Sequence, residues 1–169
     1  MQGFNPYDYA ESLMRNSDKL IISLLVCLVI VIIVSIIRRI HISNQVKSLA
    51  NNAIEMTPEE FMKMRSAKTG QRYFALTKNY PGVYILFNKT KNKFYVGQGK
   101  QVLNRVNAHF TGHGNGDVYA DYKYGDSFTI RTIKLEGSGF NNLNDLERYF
   151  IKEYNAFSLG YNKTRGNRK

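Results

Sequence analysis

Cysteine, tryptophan and proline are scarce in this chain, and acidic side chains are outnumbered. One cysteine cannot form an internal bridge, and Cys27 lies inside an apolar run, so disulfide frameworks, thiolate metal sites and a cysteine nucleophile are excluded. Three prolines and no repeat or low-complexity tract argue against collagen-like or linker-like sequence, while 43% apolar residues across 169 suffice for about one folded domain. Thirteen acidic residues against twenty-four basic ones leave a net charge of +11. That balance favours polyanionic partners, either nucleic acid or an anionic lipid surface.

The charge is unevenly placed. Residues 1–37 hold two basic and three acidic side chains, residues 38–80 eight and three, and residues 81–169 fourteen and seven. Within the neutral start, Leu20 to Ile37 runs for eighteen residues without a charge, interrupted only by Ser23 and Ser35, each able to bond a carbonyl one turn back. As a helix this run extends about 27 Å, close to the thickness of a bilayer's hydrocarbon core. It is apolar all round, whereas a core helix of a soluble domain would carry a stripe. A cleaved signal peptide would want a basic start and small residues after the run; instead Asp8, Glu11 and Asp18 precede it and Arg38-Arg39 follow. The expectation is a retained transmembrane helix at 20–37 after a short segment 1–19. Arg38, Arg39 and Lys47 outnumber Arg15 and Lys19, which places the C-terminal side in the cytoplasm.

Residues 38–80 read as a helical juxtamembrane linker. Ile42, Val46, Leu49, Ala53 and Met56 share one helix face at 4-3-4-3 spacing, the pattern of two heptads. Two readings stand: a homodimer seam through residues 42–56, or an amphipathic helix lying on the neighbouring domain or on lipid. Thr57-Pro58-Glu59-Glu60 then opens a further helix, with Thr57 as cap, Pro58 at the first turn and Glu60 closing a capping box, and Gly70 ends it.

From residue 81 the pattern changes to short strands and helices. Val83 to Phe87 and Phe94 to Gly97 flank the polar turn Asn88 to Lys93 as a hairpin, Gln101 to Phe110 is helical, and Thr111 to Gly116 is a loop. Ser127 to Leu135 supplies a third strand, and Asn142 to Tyr154 a helix with Leu143, Leu146, Phe150 and Tyr154 on its apolar stripe. The fold class expected for 81–169 is α+β, a small three-stranded, mainly antiparallel sheet flanked by helices.

Gly82-Val83-Tyr84, ten further residues and Tyr95-Val96-Gly97 resemble the paired signature of the GIY-YIG nuclease family, with Val for Ile in both halves. Downstream, Arg105, His109, Glu147 after Leu146, and Gly160-Tyr161-Asn162 follow in the family's order, so the resemblance covers about residues 81–165. It implies hydrolysis of DNA phosphodiester bonds with Tyr84, Tyr95, Arg105, His109 and Glu147 as catalytic residues. It also implies a divalent cation, Mg²⁺ or Mn²⁺, on Glu147.

The residue types suit that chemistry. Hydrolysis needs an activated water, a stabiliser for charge developing on the phosphate, and usually a cation. A tyrosine hydroxyl from either hairpin strand can serve the water once nearby positive charge lowers its pKa, and the sequence leaves open which one. Arg105 and His109, four apart on one helix, offer a permanently charged fork and a group able to relay a proton or bind phosphate. Gly97 lets backbone approach substrate, Lys100 adds positive charge, and Asn162 holds the site by hydrogen bonds. Gln98 departs from the Lys that some family members carry there. His113, in a glycine-rich loop lacking the Lys-Ser/Thr ending of a phosphate loop, takes no role.

The leading reading is a membrane-anchored, metal-dependent DNA endonuclease acting at or across the membrane. A nucleic-acid-binding adaptor without cleavage, and a structural membrane subunit with a lipid-facing basic surface, are the alternatives. Simple binding needs no carboxylate at the cation position, so Glu147 separates the first from the second.

Overall fold

The computed structural model describes residues 6–66 and 79–167, the side chains of Pro6, 8–14, Arg65 and Ser66 excepted. Gly70 therefore lies outside the described residues. Helix α1 (Pro6–Asn51) is followed by α2 (Pro58–Ser66), β1 (Gly82–Asn88), β2 (Lys93–Gly99), α3 (Val102–Phe110), α4 (Gly116–Lys123), β3 (Phe128–Lys134) and α5 (Leu143–Glu153). The chain divides into two compact units, residues 1–43 and 44–169.

In the first unit α1 carries the long apolar run. Every residue from Leu20 to Ile37 is exposed among the described residues. By length and composition it is able to cross a membrane. Ser35 gives its hydroxyl proton to the Val31 carbonyl at 2.7 Å, which satisfies the polar group within the helix.

The second unit is built on an antiparallel sheet ordered β2-β1-β3. The central strand β1 is buried along almost its whole length, as its unbroken Val-Tyr-Ile-Leu-Phe run requires of a strand covered on both faces. Tyr84, Leu86, Val102, Val106, Phe128 and Ile130 form one core with Phe61 of α2. Each such side chain, taken from water, contributes about 1.5–3 kcal/mol before entropy is counted.

The compact unit starts well before residue 81, and much of the expected linker is part of it. Met56 exchanges two backbone hydrogen bonds with Ile130, 3.1 and 2.8 Å, and so caps the open edge of β3. Glu55 forms ion pairs with Arg131 and with Lys89, while Phe61 is fully buried. The capping box forms as expected: Thr57 N–H donates to Glu60 Oε2 at 2.8 Å and Glu60 N–H to Thr57 Oγ1 at 3.2 Å.

The heptad face is used differently from a dimer seam. Val46 and Ala50, four apart, are the buried pair at the end of α1, whereas Leu49 is 38% exposed. Gln45 donates to the Gly137 carbonyl and Lys47 pairs with Glu153. Val46 at the end of α1 and Met56, which lies beyond that helix in the bridge to β3, thus both serve this chain's own domain. A 42–56 homodimer contact would have to take them away.

Candidate active site

The site follows from strand register. Tyr84 on β1 lies opposite Gly97 on β2, and Leu86 opposite Tyr95, so both signature tyrosines project to the same face of the sheet. Their ring centroids are 6.1 Å apart. The glycines of the two signatures are spatial necessities: a β-carbon at Gly82 would stand 2.4 Å from the Ile133 carbonyl oxygen, and one at Gly97 would stand 2.2 Å from the Tyr84 hydroxyl. Gly97 therefore makes room for Tyr84, and it also lines the cleft over this face.

His109 on α3 reaches the pair from below. Its ring lies 4.7 Å from that of Tyr95 and 5.3 Å from that of Tyr84, and its Nε2 is 2.8 Å from the Tyr84 hydroxyl oxygen. The backbone N–H of Asn115 donates to Nδ1 at 2.8 Å. With Nδ1 an acceptor, the neutral imidazole carries its proton on Nε2 and donates it to Tyr84. Burial and the Arg105 charge push the His109 pKa down to about 4, which keeps the ring neutral. His109 is only 1% exposed and does not line the cleft, so direct phosphate binding is not among the things this geometry allows it.

Tyr84 is fully buried and Tyr95 partly exposed. Burial raises the Tyr84 pKa above the ordinary tyrosine range, with Tyr95 adding to the rise and Arg105 opposing it. Burial also raises Tyr95, while the Tyr84 hydroxyl beside it and the Arg105 charge pull it back. His109 thus holds the buried Tyr84 hydroxyl, and Tyr95 is the partly exposed member of the pair.

A cleft of about 350 Å³ opens over this face, lined by Tyr95, Gln98, Arg105, Glu147, Asn162 and Lys163 among others, with Tyr84 at its floor. Glu147, 8% exposed, enters from α5, a helix capped by Asn142 accepting from Asp145 N–H at 2.8 Å. Its Oε2 accepts from Gln98 Nε2 at 2.9 Å and from Asn167 N–H at 3.5 Å. Burial raises the Glu147 pKa; the Gln98 bond is the largest opposing influence, and Arg105 adds to it. Gln98, which also donates to Asn144 Oδ1 at 2.6 Å, thus holds the carboxylate rather than the substrate.

Among the described residues no three His, Cys, Asp or Glu side chains gather as a metal cluster. Glu147 stands with amide oxygens and without thiolate or imidazole in the cleft wall. That donor set fits a hard, mostly hydrated cation held by one carboxylate.

Asn162 works on the scaffold. Its Oδ1 accepts from Val96 N–H at 2.8 Å and its Nδ2 donates to the Val96 carbonyl at 2.7 Å, so one side chain pairs the free edge of β2 as a neighbouring strand would. Tyr161 beside it is buried, donates from its N–H to the Phe94 carbonyl and from its hydroxyl to Asp121. Lys100 is exposed in the turn after β2 and does not line the cleft. His113 sits on the surface, its Nδ1 2.9 Å from the Thr111 carbonyl.

Two contributions escaped the sequence. Asn115 fixes the His109 tautomer and also caps α4 by accepting from Asp117 and Val118 N–H. Lys163, Thr164, Gly166 and Asn167, in the irregular segment after Asn162, form one wall of the cleft. The available signal was the basic run Lys163-Thr164-Arg165-Gly166-Asn167-Arg168-Lys169 following the closing asparagine.

Residues 80–162 match the family described as the GIY-YIG catalytic domain. No curated protein matches the chain. Among solved structures, a mutant of the catalytic domain of intron endonuclease I-TevI matches with 26% sequence identity and a TM-score of 0.40, covering 53% of this chain and 98% of that one.

Proposed function

From residues 80–162, a GIY-YIG catalytic domain of endonuclease type, we propose a membrane-anchored, divalent-metal-dependent enzyme that hydrolyses DNA phosphodiester bonds. The observation that carries this reading is the convergence of Tyr95, Arg105 and Glu147 on one solvent-open cleft.

Each side chain has a distinct task. Tyr95, as the phenolate, receives the proton of the attacking water, because it is the partly exposed member of the pair and lines the cleft while Tyr84 is fully buried. Tyr84 and His109 are positioning residues that act through it. The Arg105 fork binds the phosphate and stabilises charge building on its oxygens. Glu147, oriented by Gln98, would hold Mg²⁺ or Mn²⁺, and such a cation polarises the phosphate and stabilises the leaving oxygen. The fourteen basic side chains of residues 81–169 supply general attraction for the DNA backbone.

The apolar exposed helix at 20–37, followed by Arg38-Arg39, supports an anchor with the catalytic domain on the cytoplasmic side. Cutting would then be restricted to DNA at or crossing that membrane. Incubating purified full-length protein in detergent with plasmid, linear and single-stranded DNA, in Mg²⁺ or EDTA, tests the chemistry. Cleavage in Mg²⁺ that EDTA stops is expected. Binding without cleavage in either would favour the adaptor reading.

A further inference from the structure

Beside the catalytic cleft lies a second groove of about 490 Å³, lined by Arg148, Ile151, Lys152, Asn155, Phe157 and Arg165, with Ser158 at its edge. It adjoins the cleft: Ile151 lines both, and Arg148, the residue after Glu147, donates to the Asn167 carbonyl at 3.1 Å. Three of its lining residues are cationic and none is acidic; Arg148 is paired with Asp145 outside the lining, which leaves Lys152 and Arg165. Its aromatic residue is left open, Phe157 being 41% exposed, and the Arg165 guanidinium lies 5.3 Å from the ring centroid.

A basic groove with an exposed aromatic is what single-stranded nucleic acid needs: cations track the phosphates, and a ring face stacks on a base whatever its identity. A base within a duplex has its faces covered by its neighbours. Phe157 can therefore serve a strand only where bases are unpaired.

We infer that this groove binds the DNA strand running on from the scissile phosphate, with Lys152 and Arg165 on its backbone and an unpaired base stacked on Phe157. The preferred substrate class is then DNA that is splayed, flapped or single-stranded beside the cut. This assignment rests on the nuclease reading for its geometry, but its test reads binding alone.

Full-length protein in detergent, with EDTA present to prevent turnover, is titrated into fluorescently labelled splayed and blunt duplexes, and anisotropy is recorded. Wild type should bind the splayed DNA more tightly. Phe157→Leu, which keeps an apolar side chain without a ring face, should lose about tenfold in affinity for splayed DNA and nothing for blunt duplex, and Phe157→Tyr should retain wild-type affinity. Lys152→Glu with Arg165→Glu should weaken splayed binding at least about tenfold and lower its salt dependence. The exposed pair Lys63→Glu with Lys123→Glu is the matched charge control. Wild-type binding by Phe157→Leu, or a groove reversal no worse than the control reversal, overturns the proposal. If these residues govern binding while wild type never cuts in Mg²⁺, the groove stands and the cleavage reading falls.

Discussion

Tyr84 and Gly97 are cross-strand partners on β1 and β2, and the tyrosine hydroxyl occupies the space a β-carbon of residue 97 would fill. The two halves of the signature are thus one object, a buried phenol and the gap that admits it.

Gly97→Ala should be costly because neither partner can yield. The Tyr84 ring carbon bearing the hydroxyl would stand 2.4 Å from the new methyl, and His109 holds the hydroxyl from the other side. Overpacking of this kind destabilises by about 1–3 kcal/mol. Cleavage should fall about tenfold or more as Tyr84 shifts against the Tyr95 ring. Thermal unfolding and plasmid-nicking rates check the two effects, and Tyr84→Phe should not rescue the variant, since the clashing ring carbon remains.

The signature was legible because strand register is written in short-range spacing, and a hairpin closed by the short polar turn 89–92 brings its tyrosines to one face. The order of the later residues placed Arg105 and Glu147 in the same cleft. Helical spacing did not tell which of Arg105 and His109 faces outward; α3 turns one to solvent and buries the other beneath Tyr84. Incorporation of residues 44–66 rests on the Met56–Ile130 bridge, a contact across 74 positions that no local pattern encodes. Helix α4 escaped because Val118 is its one buried residue, too little for a periodic signal.

His109 makes stability depend on pH. Its pKa is about 4 in the folded protein against about 6.5 in an unfolded chain. Between those values the unfolded chain binds the extra proton, so the contribution is complete above about 6.5 and is lost as pH falls toward 4, with a limiting slope near 1.4 kcal/mol per pH unit. Glu147, whose pKa is raised, acts in the opposite sense, its contribution being lost as pH rises above the usual carboxylate value. Comparing wild type with His109→Gln isolates the histidine. Urea midpoints followed by tyrosine fluorescence should fall more steeply on acidification in the wild type.

Glu147→Gln should lower Mg²⁺-dependent cleavage by more than about a hundredfold while DNA affinity changes little, because the carboxylate serves the cation and the basic residues serve the backbone. Gln98→Ala provides the graded companion. It removes the amide that orients Oε2 and leaves the carboxylate, so it should raise the Mg²⁺ concentration needed for half-maximal rate and leave the rate at saturating Mg²⁺ nearer to wild type. Wild-type cleavage by Glu147→Gln would remove the metal assignment.

Tyr95 and Tyr84 should separate by pH profile. If Tyr95 is the base, its ionised fraction rises tenfold per pH unit below its pKa, and that pKa is raised by burial, so wild-type cleavage should keep climbing on the alkaline side of neutrality. Tyr95→Phe should lose about 10²–10⁴ in rate together with the alkaline rise, since the ring packing survives and only the proton acceptor is gone. Tyr84→Phe removes the neighbouring hydroxyl that pulls the Tyr95 pKa down and leaves the base in place. Its rate should fall by less, and its rise should move to still higher pH, because the phenolate of Tyr95 loses a stabilising partner. It also leaves the buried Nε2–H of His109 without its acceptor, which costs about 1–3 kcal/mol of stability, so both variants are compared at a temperature where each is folded. The reverse pattern, with the alkaline rise abolished by Tyr84→Phe and kept by Tyr95→Phe, would transfer the base to the buried tyrosine and require a water at the floor of the cleft.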